Sequence, residues 1–403
     1  MLIEKFLTRL FKVGNLTVVL PDGTTKTYGD GSGEPVRVRL TKAGMRRIGV
    51  NPKLGVGEAY MDGDLVIEEG DIWGLLETAG RNYRFRGKPK RGPLKKGVRK
   101  LRKMKQQWND RVASRRNVAH HYDLSGELYR RFLDADMQYS CAYFSRSGMT
   151  LEEAQHAKKM HIAAKLALRP GMRVLDIGCG WGGMGLTLAG DYGANVTGVT
   201  LSTEQLAVAQ ERAKAAGLED QAQFSLTDYR DVEGPFDRIV SVGMLEHVGA
   251  PNLRAYFQRV ADLLPDNGVA LIHSIGRRGG PALTNAFTNK YIFPGGYIPA
   301  LSEVTTAIEE AGLWITDIEV LRLHYAETLR CWRERFEANR AEVAQIYDER
   351  FCRMWEFYLA GAELSFRYGG HMIMQLQLAK TVDSLPITRD YMVDVERAVQ
   401  GRP

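Results

Sequence analysis

The chain has 403 residues, enough for two or three domains of roughly 150 residues each. Its 44% hydrophobic and 26% charged content is that of a protein with a sizeable core, which excludes disorder as the dominant state. No apolar run approaches the roughly 20 residues of a membrane-spanning helix, and four cysteines without a CxxC pair exclude a disulfide scaffold and a zinc ribbon. The net charge of +7 is unevenly spread: residues 81 to 116 hold sixteen Lys or Arg against the single acid Asp110, so the remainder is acidic at −8.

In chain order, residues 2 to 12 predict a helix with Leu2, Ile3, Phe6, Leu7, Leu10 and Phe11 on one face and Lys5, Arg9 and Lys12 on the other. Two readings fit: an interfacial helix lying on a membrane, or a helix packed on its own domain. The first fourteen residues carry charges every third or fourth position, unlike a secretory segment, and a reducing cytoplasm is the expected address. Residues 16 to 75 alternate as strands around a turn at Pro21-Asp22-Gly23 and end in a turn-rich segment running into a short helix, predicting a small mixed α+β domain over 1–80. The basic stretch 81–116 is a linker broken by Gly87, Pro89, Gly92 and Pro93. Its charge is too lopsided for internal pairing and favours a polyanionic partner, nucleic acid or an anionic membrane.

From residue 117 to 403 strands and helices alternate, as in a doubly wound α/β sheet. Strands are predicted at 172–178, 195–201, 221–229, 236–244 and 268–276, with helices between them and a mostly helical tail. In the helix after the second strand, Ser202 and Gln205 fit a capping box. The first strand runs into Asp176-Ile177-Gly178-Cys179-Gly180-Trp181-Gly182. Glycines there let the backbone turn tightly and admit a ligand in van der Waals contact. The GxGxG spacing, with an acid two residues ahead, differs from the dinucleotide GxGxxG, and no carboxylate ends the second strand at Thr200-Leu201-Ser202. Both features demote a nicotinamide enzyme and suit S-adenosylmethionine, which needs no pyrophosphate cradle. Asp228, ending the third strand, is placed either to accept from an adenine amino group or to cap a turn.

These residues, with HHYDLSGELYRRFLD (120–134), MQYSCAYF (137–144), VLDIGCGWGG (174–183), FDRIVSVGMLEHVG (236–249), IHSIG (272–276), YIFPGGYIP (291–299) and LHYAETLRCW (323–332), resemble the cyclopropane-fatty-acyl-phospholipid synthase family of methyltransferases. The resemblance implies an S-adenosylmethionine-dependent, Rossmann-like catalytic domain behind the small N-terminal domain. It also implies methylene transfer to the cis double bond of an unsaturated phospholipid acyl chain, through a carbocation deprotonated by bound bicarbonate. The residues carried over are Cys141, Glu246, His273, the Ile275 backbone and Tyr325 for the bicarbonate, and Tyr139, Ser140, Gly178, Gly180, Gly182, Thr200, Leu201 and Gln205, beside Asp176 and Asp228, for the cofactor. Tyr139, Tyr143, Phe144, Tyr291, Phe293 and Tyr297 are candidates for aromatic faces that stabilise a cation without capturing it. His120, His121, Tyr122 and Asp123 are expected to cap the site.

His156 and His161, five apart, are poorly spaced for a metal, and none is expected. Many family members have a cysteine where this chain has Ala362, so a mechanism needing a thiol there cannot apply. The partners implied are unsaturated phospholipids of an anionic membrane, met peripherally on its inner face through the N-terminal helix and basic linker, and a second copy of the chain as a homodimer. Two alternatives stand beside this: the same site making methyl-branched chains, and an RNA methyltransferase using the basic stretch. Against the latter, only Tyr83, Phe85 and Trp108 interleave that stretch, and no nucleic acid partner is expected.

Overall fold

The computed structural model describes residues 7–83 and 126–400. The basic linker beyond residue 83, the His120–Asp123 block and the first six residues lie outside it. Among the described residues, 7–83, 284–294 and 326–370 form one compact unit, and 126–283, 295–325 and 371–400 form another. The division therefore does not follow the expected 1–80 and 117–403 boundaries: two late stretches belong with the N-terminal residues.

The N-terminal unit carries a four-stranded sheet of β1 (Asn15–Val19), β2 (Thr25–Tyr28), β3 (Pro35–Leu40) and β4 (Leu65–Glu69), in the order β2-β1-β3-β4. β1 and β3 run parallel and the other pairs antiparallel. Alternation of Leu16 and Val18 in β1 with Val36, Val38 and Leu40 in β3 puts one face of the sheet into a core. Helices α1 (Lys42–Val50), α2 (Pro52–Met61) and α3 (Ile72–Tyr83) complete the segment. Leu7 and Phe11 are buried in this core, so that part of the amphipathic start packs on its own domain. The late stretches assigned to this unit bring the helix Ala286–Tyr291 and most of three more between His324 and Arg367. The last of these, Glu349–Arg367, packs against α2 and α3.

The second unit begins with α4 (Gly126–Phe132) and α5 (Leu151–Lys165), the latter closed by a Thr150–Glu153 capping box. Then follow β5 (Arg173–Ile177), α6 (Gly183–Tyr192), β6 (Asn195–Thr200), α7 (Thr203–Ala215), β7 (Ala222–Leu226), β8 (Arg238–Val242), α8 (Leu253–Leu263) and β9 (Val269–Arg277). Past α9 (Ala286–Tyr291), which belongs to the N-terminal unit, come α10 (Leu301–Glu310) and β10 (Trp314–Leu321). α11 (His324–Ala338), α12 (Arg340–Ile346) and α13 (Glu349–Arg367) belong from residue 326 to the N-terminal unit, and β11 (His371–Ala379) and α14 (Asp390–Gln400) return to the second. The seven-stranded sheet has the order β10-β11-β9-β8-β5-β6-β7. β5 to β9 are mutually parallel, and β11 pairs antiparallel with both β9 and β10.

The five predicted parallel strands are present within one to three residues at each end. β11 is the departure from the expected helical tail. Eight of its nine residues are buried between two neighbouring strands, so its near-continuous apolar run reads locally like a buried helix. Chain order reverses between β6 and β8 on either side of β5, which opens a crevice at the carboxyl ends of these strands, the usual ligand position of such sheets.

Candidate active site

The glycine turn follows β5 at that crevice. Gly178, Gly180 and Gly182 all have positive φ, at 81°, 55° and 84°. Space around Gly180 is open, with no atom within 4 Å of where a Cβ would stand, whereas a Cβ on Gly182 would sit 3.0 Å from Ala209 and Phe224. The first glycines thus leave backbone accessible to a ligand, and the third lets α6 close onto α7 and β7. Two N–H groups, of Gly178 and Cys179, are tied to the Val199 carbonyl of β6, which holds the turn in place. Asp176, two residues ahead, is buried with its Oδ2 unpartnered, and burial pushes its carboxyl up to about 7 against the opposing charge of Lys158.

At the end of β6, Thr200 Oγ1 donates to Gln205 Oε1 (3.0 Å) and accepts from the Ser202 N–H. Ser202 caps α7 by accepting from the Gln205 N–H, but the Gln205 side chain turns to Thr200, so only half of the expected capping box forms. Leu201 stands between them, half-buried. Asp228 caps a short turn over Tyr229–Asp231, and both its oxygens receive Arg230. The capping alternative is therefore what the folded chain displays.

Tyr139 and Ser140 lie in the loop before α5. Tyr139 packs edge-on to Tyr129 of α4, whose ring also meets Trp181 of the glycine turn at 5.0 Å. Ser140 Oγ takes a hydrogen bond from Lys158 Nζ (3.0 Å), and its carbonyl one from Gln155. Lys158 is fully buried, which lowers its ammonium pKa to about 8. Its charge is felt at Asp134, Asp136, Cys141, Asp176 and His273.

The candidates themselves come from the loop before α5, the turn after β8, β9 and the start of α11. Cys141 is 1% exposed and gives its thiol hydrogen to the Ala142 carbonyl. Glu246, in the turn after β8, accepts the Ile275 N–H of β9 on Oε1 (2.5 Å), while its Oε2 is buried without a partner. Burial raises this carboxyl to about 7. The Ile275 N–H therefore orients Glu246 and does not stand open to an anion. His273, two residues earlier on the same face of β9, accepts from Gln375 Nε2 on Nδ1 and leaves Nε2 buried and unpartnered. Burial holds its pKa well below the usual imidazole range, so the ring is neutral. An unsatisfied buried polar atom costs about 1–3 kcal/mol, and there are two here, one on a turn that hydrogen-bonds to β9 and one on β9 itself.

Tyr325 is buried at the start of α11. The preceding His324 accepts the Phe144 N–H (3.0 Å) and stacks on Tyr143 at 5.1 Å, tying this helix start to the segment that carries Cys141. Of the aromatic candidates, Tyr143 is sandwiched between His324 and His161, and the Tyr297 N–H holds the Glu246 carbonyl. Tyr291 and Phe293 belong to the N-terminal unit, where Tyr291 Oη donates to Glu58 and Phe293 meets Tyr358. Sequence reasoning did not single out Lys158, Lys165 or Gln375. A signal existed for the last: Gln375 and Gln377 interrupt the apolar run of β11 at alternate positions.

Residues 109–376 match the family model described as mycolic acid cyclopropane synthetase, and residues 2–85 match a domain of unknown function. A cyclopropane-fatty-acyl-phospholipid synthase of Escherichia coli is 39% identical over 84% of this chain and 86% of its own. A probable fatty acid methyltransferase of Pseudomonas putida is 37% identical over the same shares. The solved structure of a mycolic acid cyclopropane synthase complexed with SAH and CTAB aligns with a TM-score of 0.63 and 35% identity, covering 66% of this chain and 98% of that one. Because the matched span takes in the glycine turn, Glu246, His273 and all but the last three residues of the seven-stranded sheet, the chain belongs to the mycolic acid cyclopropane synthetase family and is an S-adenosylmethionine-dependent methyltransferase.

Proposed function

We propose that this enzyme transfers a methylene group to the cis double bond of an unsaturated phospholipid acyl chain, leaving a cyclopropane. The observation that carries the reading is the paired vacancy of hydrogen-bonding at Glu246 Oε2 and His273 Nε2, within a chain 39% identical to a cyclopropane-fatty-acyl-phospholipid synthase.

S-adenosylmethionine supplies, when bound, an electrophilic methyl on a sulfonium. The turn at Gly178 and Gly180, with Asp176, Thr200, Leu201, Gln205, Tyr139 and Ser140, would hold it, with Asp228 toward the adenine. The alkene π electrons form the new carbon–carbon bond as the sulfur–carbon bond breaks; the resulting carbocation loses a proton from the added methyl and closes. Bicarbonate supplies a base for that proton. The donor set fits such an anion: a neutral His273 with an N–H to give, a Glu246 carboxyl that keeps its proton up to about pH 7 and the Tyr325 hydroxyl, with the Cys141 thiol joining only by turning its hydrogen from the Ala142 carbonyl. A dry surround matters because water would capture the cation.

Docking to an anionic inner membrane surface through the basic linker, and a homodimeric state, complete the proposal. Among the described residues no helix is long and apolar enough to cross a membrane. Similarity to a fatty acid methyltransferase supports a second reading, in which hydride from an added reduced nicotinamide or flavin quenches the carbocation and yields a methyl branch.

The test is mass spectrometry of phospholipid acyl chains after incubating the protein with S-adenosylmethionine, bicarbonate and unsaturated vesicles. Ring closure adds about 14 Da and resists hydrogenation, whereas a methyl branch adds about 16 Da. No lipid product, with methylation of RNA instead, would overturn both.

A further inference from the structure

We infer that Gln375, itself held by Lys165, is a positioning residue that sets which nitrogen of His273 carries the proton. The antiparallel register of β9 and β11 makes His273 and Gln375 direct cross-strand partners. Both are buried, at 2% and 0% exposure, as is Lys165 at 1%. Lys165 Nζ reaches Gln375 Oε1 at 2.8 Å, bonds to Glu319 Oε2 and lies 3.7 Å from Asp317 Oδ2.

The logic of donors then runs in one direction. An ammonium between two carboxylates has hydrogens to give and no lone pair to offer, so the Gln375 oxygen must face it. That turns the Gln375 NH2 to His273 Nδ1, 3.1 Å away, which must accept. A neutral imidazole that accepts on Nδ1 carries its proton on Nε2. The unpartnered Nε2 is thereby an N–H donor and not a lone pair, the state an anion requires. An apolar residue at 375 would leave the tautomer unset, and a carboxylate there would reverse it by accepting from Nδ1–H. Because Gln375 acts through His273, it needs no contact with the substrate. The purpose assigned to the donor rests on the proposed anion between Glu246 and His273; the tautomer itself does not.

The experiment has two arms. In the first, the full chain labelled with 15N-histidine is examined by long-range 1H–15N correlation at pH 7.5, with His273→Asn identifying the signal among eight histidines. The wild type is expected to show the neutral Nε2–H form, and Gln375→Glu to move His273 to Nδ1–H or to imidazolium. In the second, Gln375→Glu is expected to raise the KM for bicarbonate at least about tenfold while the KM for S-adenosylmethionine stays within about twofold, and Gln375→Leu to fall between the two. A wild-type His273 found as Nδ1–H overturns the inference without any variant having to fold. So does a folded Gln375→Glu whose histidine spectrum and bicarbonate response match the wild type. A tautomer that switches while neither protein responds to bicarbonate upholds the Gln375–His273 coupling and overturns the bicarbonate reading.

Discussion

Glu246, assigned above to the proposed anion site, weakens the fold that carries it. Its carboxyl is raised by burial to about 7, above the value of an unfolded chain, so the native state holds a proton more tightly than the unfolded one. Stability from this group is complete below about pH 4 and is lost as pH climbs through 7. Glu246→Gln keeps the shape and removes the titration. The variant should therefore be more stable than wild type at pH 8, by on the order of 2 kcal/mol, and nearly equal at pH 5, while losing turnover. Thermal melts of the ligand-free proteins at the two pH values check this; equal melting-point differences at both would sink it. The thiols make a second case. Cys331 lies on α11 and Cys352 on α13, both assigned to the N-terminal unit, and burial raises both thiols, away from the thiolate range of reactive cysteines. Cys331→Ser should keep kcat within about twofold, whereas Cys141→Ser should lower it clearly.

The elements around the cofactor turn are packed to a tolerance that a single methyl tests. In Gly182→Ala the new Cβ would meet Ala209 and Phe224 at 3.0 Å, at a φ of 84° that L residues adopt at a cost of about 1–2 kcal/mol. The melting temperature should drop by several degrees and the affinity for S-adenosylmethionine with it, since α6 can no longer seat against α7; calorimetric titration and a melt measure the two together. At Gly180 nothing lies within 4 Å, so an added methyl there should cost less stability and act chiefly on ligand approach. α5 offers a control away from the chemistry. Thr150→Ala removes the cap whose reciprocal half is Glu153, and should cost about 1 kcal/mol without changing any KM.

For the molecule as a whole, the basic linker is the feature that the proposed lipid substrate explains. If residues 84 to 116 seat the enzyme on anionic lipid, each Lys or Arg near the surface contributes about 1 kcal/mol. Replacing eight of them by Gln should abolish salt-sensitive sedimentation with anionic vesicles while S-adenosylmethionine binding persists. Vesicle binding indifferent to salt and to anionic lipid content would refute this role. The amphipathic start contributes less to such docking than its sequence suggests, since Leu7 and Phe11 are already spent in the core of their own unit.

Local pattern was enough for much of this protein. Strand, glycine turn and helix are consecutive, so the turn after β5 was legible from spacing alone, whereas Cys141, Glu246, His273 and Tyr325 were nominated only through the family resemblance of the short blocks they sit in, and their roles stay part of the proposal. What escaped was every feature made by residues far apart in the chain. Lys165, His273 and Gln375 stand 102 to 210 positions from one another and meet only because β11 inserts beside β9. That insertion also hid β11 itself, whose burial on both faces erases the alternation by which a strand is read. The Ile275 backbone was assigned to an anion with no atom named; its N–H is found on Glu246, a contact set by the turn after β8 and not by any motif. The assignment of 284–294 and 326–370 to the N-terminal unit follows the same rule: periodicity tells a helix which face to bury, and packing alone tells it against what.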